Sequence, residues 1–318
     1  MIPIFFVFIF LISLIVIGVS SGAISKSFLT LSRVIGINEY VVSFLLFGVA
    51  TSLPEFFVAI SAIITKNPLM SIGNIIGANL INITLVLGIV AYLSDGVDIK
   101  ESVSVKIYWS SFILGLLPAI LVLGGGVSRV DGFILLLMCL LYFIVFANDS
   151  SYFKKSIIHI PWTAQFFFNT LSSVRTLIVS FFAIFLATIF MILFVSSLAK
   201  YLAIDILYFS IIILGAITTL PELLFGIRSS ILNHPSLAIG SLLGSIVINS
   251  TLIVGSLSVL SPSVVTQESH VVLFSLVFSF IGFFLLSIFS YSGLRISKNE
   301  GFLLILIYIL FVISVVTT

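Results

Sequence analysis

The sequence predicts an all-α, polytopic membrane protein: ten transmembrane helices in two inverted-topology repeats of five. Three observations predict it: an extreme apolar composition, ten evenly distributed hydrophobic runs, and a motif that occurs twice. Hydrophobic residues make up 61% of the 318 residues, charged residues 8%, and the mean hydropathy is +1.40. A soluble core cannot hide that much apolar surface, so the lipid bilayer has to cover the rest. The formal net charge of +2 decides little, because in a bilayer the location of charges matters more than their sum.

A window of about 20 residues places the spans near residues 3–24, 38–64, 70–93, 105–124, 130–148, 174–199, 204–231, 236–260, 269–290 and 300–317. The opening run MIPIFFVFIFLISLIVIG lacks a basic n-region and a small-residue cleavage pattern, and reads as a retained first helix. Residues 149–173, DSSYFKKSIIHIPWTAQFFFNTLSS, form the longest polar interruption. They separate a first five-span repeat (1–148) from a second (174–318), and Pro161, Trp162 and Phe166 to Phe168 suit an interfacial linker. Cys139 is the only cysteine and sits in the apolar run LLLMCLLYF, which excludes an internal disulfide and reads as packing.

Charge asymmetry orients the bundle. With the N-terminus outside, Lys26, Arg33, Lys100, Lys106, Lys154, Lys155, Arg175, Arg228, Arg295 and Lys298 fall on the inner side, against Lys66, Arg129 and Lys200 outside. Ten against three follows the positive-inside rule and puts both termini outside. Five spans per half forces the second half to enter the membrane from the opposite side, as in secondary transporters whose substrate site lies at the repeat interface.

The repeated motif carries the chemistry. GVATSLPEFFVAISAI (Gly48 to Ile63) returns in the second half as GAITTLPELLFGIRSS (Gly215 to Ser230). GNIIGANLINITLVLG (Gly73 to Gly88) returns at the same offset as GSLLGSIVINSTLIVG (Gly240 to Gly255), giving motif regions 48–88 and 215–255. Near the end of each half, VDGFILLLMCLLYFI from Val130 aligns with NEGFLLILIYILFVI from Asn299, at a slightly larger offset that marks a small insertion between the copies. Each motif sets one glutamate, Glu55 or Glu222, inside an apolar run, where a carboxylate costs about 2.5–3.5 kcal/mol on insertion scales. That cost points to function.

Pro54 and Pro221 should break their helices by removing an internal hydrogen bond and crowding the preceding turn. Broken helices free backbone carbonyls. The hydroxyls of Thr51, Ser52, Thr218 and Thr219 add neutral oxygens, and Asn82 and Asn249, equally spaced after their glutamates, bring amide oxygens. The GxxxG pairs Gly73/Gly77 and Gly240/Gly244 permit close helix approach. Two negative charges among neutral oxygens suit hard cations such as Ca²⁺ and Na⁺.

On these residues the chain resembles the calcium/cation antiporter superfamily and, within it, the sodium/calcium exchangers. The family signature G-x-x-x-[TS]-[TS]-x-P-E followed by G-[NS]-x-x-G-[SA]-x-x-x-[ND] is met by GVATSLPE with GNIIGANLIN and by GAITTLPE with GSLLGSIVIN. The resemblance covers essentially the whole chain. It implies that Glu55 and Glu222 bind Ca²⁺ at a site shared with Na⁺, that Thr51, Ser52, Thr218, Thr219, Asn82, Asn249 and Ser245 complete it, and that the two ions alternate. Some relatives carry aspartate where Asn249 stands, which argues against a potassium requirement here. The hydroxyl kept as Ser245 is Ala78 in the first repeat, and Arg228 stands where the first repeat has Ser61. A 25-residue linker leaves no room for the cytosolic regulatory domains of animal exchangers, so a prokaryotic cell membrane is the better fit.

Ca²⁺ and Na⁺ are expected as transported substrates, with no cofactor, no nucleic acid and no protein partner beyond the bilayer. Within the superfamily, H⁺/Ca²⁺ exchange is the alternative, since a carboxylate trades a metal for a proton as readily as for sodium. A cation channel would use the same ligands but needs a continuous pore. An enzyme is not expected: no nucleophile–base pair or HExxH motif is present. The first spans of each half, 3–24 and 174–199, carry no acid and are the expected moving pair. Ser52-x-x-Glu55 and Thr219-x-x-Glu222 also fit a capping box, in which each glutamate would merely cap its own helix. The remaining acids and His159, His234 and His270 map to loops or helix ends.

Overall fold

Two helices interrupted at matching places form the centre of the molecule. The computed structural model describes residues 4–35, 43–64, 66–98, 105–148, 164–202, 206–264, 270–291 and 295–317. The chain opens with α1 (Ile4–Ile35). A π-helical turn (Ser43–Phe47) then leads into the short α2 (Gly48–Thr51), and after a one-residue break comes α3 (Leu53–Ile64). Next, α4 (Pro68–Ile81) passes through a π turn (Asn82–Val86) into α5 (Leu87–Leu93), and α6 (Val105–Leu123) and α7 (Arg129–Asn148) complete the half.

The second half begins with α8 (Ala164–Leu202), then α9 (Ile206–Phe209), a π turn (Ser210–Leu214), α10 (Gly215–Thr218) and α11 (Leu220–Ile231). It continues with α12 (Pro235–Val247), a π turn (Ile248–Ile253), α13 (Val254–Leu260), α14 (His270–Tyr291) and α15 (Lys298–Val316).

Among the described residues, seven helical segments are long and apolar enough to cross a membrane. The other three predicted spans coincide with shorter apolar helices at Leu53–Ile64, Trp109–Leu123 and His270–Leu286. The first of these spans, 38–64, begins outside the described residues. Within the residues read as the linker, 149–173, α8 already starts at Ala164, and residues 149–163 lie outside the described residues. At 1.5 Å per residue the 39 residues of α8 extend about 58 Å and the 32 of α1 about 48 Å, well beyond a bilayer core of about 30 Å. Both must tilt or run on past the hydrocarbon.

The prolines act where the sequence places them. Ser52 and Thr219 interrupt the two spans, and Pro54 and Pro221 then occupy the first turn of α3 and α11, where a missing N–H costs nothing. The four π turns depart from the uniform helices that the apolar runs predict. Each inserts an extra residue into the helical ladder and re-aims the next segment, a device common at functional sites.

Burial separates the centre from the rim. The window from α4 through α5 is 83% buried and that from α12 through α13 is 94%, against 22% for α8, so the first two form the core and α8 faces outward. Lipid-facing helices are sorted by helical spacing: α7 buries Leu135, Cys139, Tyr142 and Phe146 and exposes Phe133, Leu137, Leu140 and Ile144.

Close helix crossings hold the centre together. A Cβ on Gly48 would lie 2.8 Å from the Gly244 Cα, and one on Gly244 would lie 2.6 Å from the Phe44 carbonyl oxygen. On the other side, a Cβ on Gly215 would lie 3.1 Å from the Gly77 Cα, and one on Gly77 would overlap the Ile211 carbonyl outright. The GxxxG pairs therefore work mainly through Gly77 and Gly244.

Two antiparallel ribbons tie the halves at the surface. The strand β1 (Val97–Asp98) pairs with β4 (Arg295–Ile296), and β2 (Gly126–Val127) with β3 (Ser263–Val264), so each ribbon joins a strand from 1–148 to one from 174–318. Outside the central helices, α1 and α8 lie side by side, and α1 meets α11 through a ring cluster in which Phe47 stacks on Phe225 at 3.7 Å and Phe28 meets both edge-on.

Candidate cation site

The two helix breaks deliver Glu55 and Glu222 to the same buried place. Their relative exposures are 0% and 2%, so neither carboxylate reaches the surface of the molecule. The Ser245 hydroxyl, on α12, donates to Glu222 Oε1 at 2.8 Å. The same Ser245 Oγ lies 3.2 Å from Thr51 Oγ1 and 3.2 Å from Ser52 Oγ, so one serine gathers the first motif's hydroxyls and the second motif's acid. Thr51 also faces Glu222, and Thr218 faces Glu55.

The hydroxyl protons are largely committed elsewhere. Thr51 donates to the Phe47 carbonyl at 3.0 Å, Ser52 to Gly48 at 2.9 Å, and Thr219 to Gly215 at 2.6 Å. What remains exposed toward the acids is therefore lone pairs. Both oxygens of Glu55 and Oε2 of Glu222 are buried without a hydrogen-bond partner. A cluster of acceptors with so few donors is expensive unless a cation fills it.

Asn82 and Asn249 are fully buried, and neither amide has a hydrogen-bond partner. Each heads or enters a π turn, which explains how a residue in mid-helix can present its amide away from the regular ladder. No hydrogen bond among the described residues links them to the glutamates.

The capping-box alternative does not match this geometry. Thr219 makes no side-chain cap bond, and Ser52 and Thr219 both donate back to a carbonyl four residues earlier. A capping arrangement does occur at the aligned ends of the two halves, where Ser128 pairs with Asp131 and Ser297 with Glu300. Those acids are spent on helix starts. Arg228 is exposed and its stem lies over Gly22 of α1, its Nε 3.1 Å from where a Cβ there would be.

The structure adds one residue that the motif reading did not single out. Asn74 is fully buried, and its Oδ1 accepts a hydrogen bond from the Thr218 hydroxyl at 3.1 Å. The signal was present in the bracketed [NS] position of the second motif, which Asn74 and Ser241 occupy.

No group of three or more His, Cys, Asp or Glu side chains able to hold a metal occurs among the described residues. What gathers here is two carboxylates and neutral oxygens, a donor set that suits hard cations.

The chain matches the family described as sodium/calcium exchanger protein over residues 5–147 and 157–317. It is 28% identical over 294 residues, 89% of each chain, to the uncharacterized membrane protein MJ0091 of Methanocaldococcus jannaschii. It is 34% identical to the sodium/calcium exchanger MaX1 of Methanosarcina acetivorans over 86 residues, 27% of this chain and 25% of that one. Its fold superimposes on the sodium-calcium exchanger NCX_Mj, soaked with Na⁺ and Sr²⁺, with a TM-score of 0.79 at 21% identity, covering 99% of each chain. An integral membrane protein with this match across both halves belongs to the sodium/calcium exchanger protein family.

Proposed function

We propose that this protein is a secondary antiporter that exchanges Ca²⁺ for Na⁺ by alternating access at a site around Glu55 and Glu222. The observation that carries the reading is the Ser245 hydroxyl, which binds Glu222 while touching Thr51 and Ser52, so that both copies of the motif feed one buried cluster of acceptors. Thr218, Thr219, Asn82 and Asn249 complete the ligand set. Two carboxylates are neutralised by one Ca²⁺ or by two Na⁺, and a third Na⁺ would rest on neutral oxygens and leave the loaded site positive. With no ion bound, two bare carboxylates in low dielectric resist reorientation, which enforces obligatory exchange.

The helices are two inverted repeats of five, residues 1–148 and 174–318. Support comes from the π turns at Ser43–Phe47 and Ser210–Leu214, which share the offset of the motifs, and from the reciprocal ribbon pairing. Charge asymmetry places both termini outside, and the archaeal and bacterial relatives fit a prokaryotic cell membrane. The tilted pair α1 and α8 slides against the rest, a rocking step of the kind inverted-repeat transporters use.

The test is ⁴⁵Ca²⁺ uptake into proteoliposomes preloaded with Na⁺, compared with K⁺-loaded and acid-loaded vesicles. Uptake that needs the outward Na⁺ gradient supports the proposal. Uptake driven only by an outward proton gradient replaces it with H⁺/Ca²⁺ exchange, and flux with no counter-gradient at channel-like rates removes antiport altogether.

A further inference from the structure

Given the cation site proposed above, we infer that Asn74 is a positioning residue that makes the Thr218 hydroxyl a cation ligand by taking its proton. The two copies dispose of the equivalent proton differently. Thr51 donates to a backbone carbonyl, that of Phe47, at 3.0 Å. Thr218 makes no bond to Leu214, the corresponding carbonyl, and reaches Gly215 only at 3.4 Å; its shorter bond, 3.1 Å, goes to Asn74 Oδ1. A hydroxyl has one proton, so whatever accepts it decides where the lone pairs point.

The consequence falls on Glu55. Thr218 faces this carboxylate, whose two oxygens are buried and have no hydrogen-bond partner. With its proton held by Asn74, Thr218 offers the acid lone pairs, and two acceptors brought together in a buried site call for a positive ion to bridge them. Without Asn74 the same hydroxyl would swing to donate to Glu55, neutralising the acceptor surface and competing with the cation. Ala78 sharpens this dependence. Its counterpart Ser245 lies 3.2 Å from Thr51 and supplies a donor to Glu222. The alanine supplies nothing comparable to Thr218 or Glu55. Asn74 stands one turn earlier on the same face of α4, fully buried, with an amide nitrogen that has no other partner.

The experiment is a double-mutant cycle on the purified full-length protein in detergent, reading the Na⁺ and Ca²⁺ concentrations that half-saturate its thermal stabilisation. Asn74→Leu keeps the volume and removes the acceptor; Thr218→Val removes the hydroxyl. Each should raise the half-saturating concentration about fivefold or more while the melting temperature without cations moves little, and the double variant should be no worse than Thr218→Val alone. Asn74→Ser, the residue of the other copy, serves if the leucine variant does not fold. Additive effects overturn the inference. So does a lowered cation-free melting temperature with unchanged cation midpoints, the signature of a packing role. Because the titration needs no transport, wild-type protein that binds cations but shows no Na⁺-driven uptake sinks the exchange reading alone. Wild-type protein stabilised by neither cation sinks both.

Discussion

Glu222 and Glu55 occupy matching places in matching broken helices, yet Ser245 donates to Glu222 at 2.8 Å while both oxygens of Glu55 stand without a donor. On the Glu222 side, the Ser245 hydroxyl that serves the acid also lies 3.2 Å from those of Thr51 and Ser52. Across the site, Thr218 is tied to Asn74, Thr219 to its own backbone, and Ala78 offers no side-chain oxygen. A duplicated motif has thus become two unequal half-sites: one carries a prearranged donor, and the other consists of acceptors. On the exchange reading proposed above, a site that takes ions of different charge gains from that inequality, since an undonated carboxylate holds the more concentrated charge and the hydroxyl-rich side the better cradle for a monovalent ion.

The strongest way to break the comparison is to remove each charge in turn. Glu55→Gln and Glu222→Gln should each abolish Na⁺-driven ⁴⁵Ca²⁺ uptake in proteoliposomes. Retained activity in either would reduce that glutamate to a structural residue. In cation-free detergent the two variants should part company: Glu55→Gln should raise the melting temperature more, because it removes the acid that has no compensating donor.

A second comparison concerns the crossings that bring the halves together. Gly77→Ala should cost more stability than Gly244→Ala, both at or above the roughly 1–3 kcal/mol of ordinary overpacking, since the new methyl meets backbone that cannot rotate away. Thermal melts of the two variants measure this, and an equal cost would mean the crossings are more alike than their geometry.

Smaller changes sharpen the chemistry. Ser245→Ala should raise half-saturating Na⁺ by roughly tenfold, the scale of one hydrogen bond to a charged group. Ala78→Ser places a hydroxyl at the corresponding point, where its proton would compete with the cation for Glu55, and should raise it by a few-fold while making the half-sites more equal. Sodium titration of uptake reads both. An unchanged sodium dependence in both variants would show that the hydroxyl difference is incidental. The smallest effect belongs to the helix starts, where Ser128→Ala and Ser297→Ala should each cost about 1 kcal/mol in stability and leave ion dependence untouched.

Much of the fold was legible because its motifs recur. Glu55 and Glu222, the helix breaks at their prolines, and the importance of Gly77 and Gly244 all follow from residue types at a fixed offset in an apolar chain. The π turns were not legible: an extra residue in a helix leaves no trace in hydrophobic periodicity when the segment is buried on every side, as Asn82 to Val86 nearly is. The start of α8 was hidden for another reason. Polar residues between Ala164 and Ser173 mark the end of a hydrophobic span, and a helix can continue past it.

Composition and repetition alone determined that the chain lives in a membrane, that its motif is doubled, and that two acids stand among neutral oxygens in apolar surroundings. Those properties are local, carried by residue type and spacing. Tertiary structure decided which oxygen meets which: that Ser245 serves the acid of its own half and the hydroxyls of the other, and that Thr218 gives its proton to Asn74. A hydroxyl can donate in several directions, and only the packed neighbours choose among them.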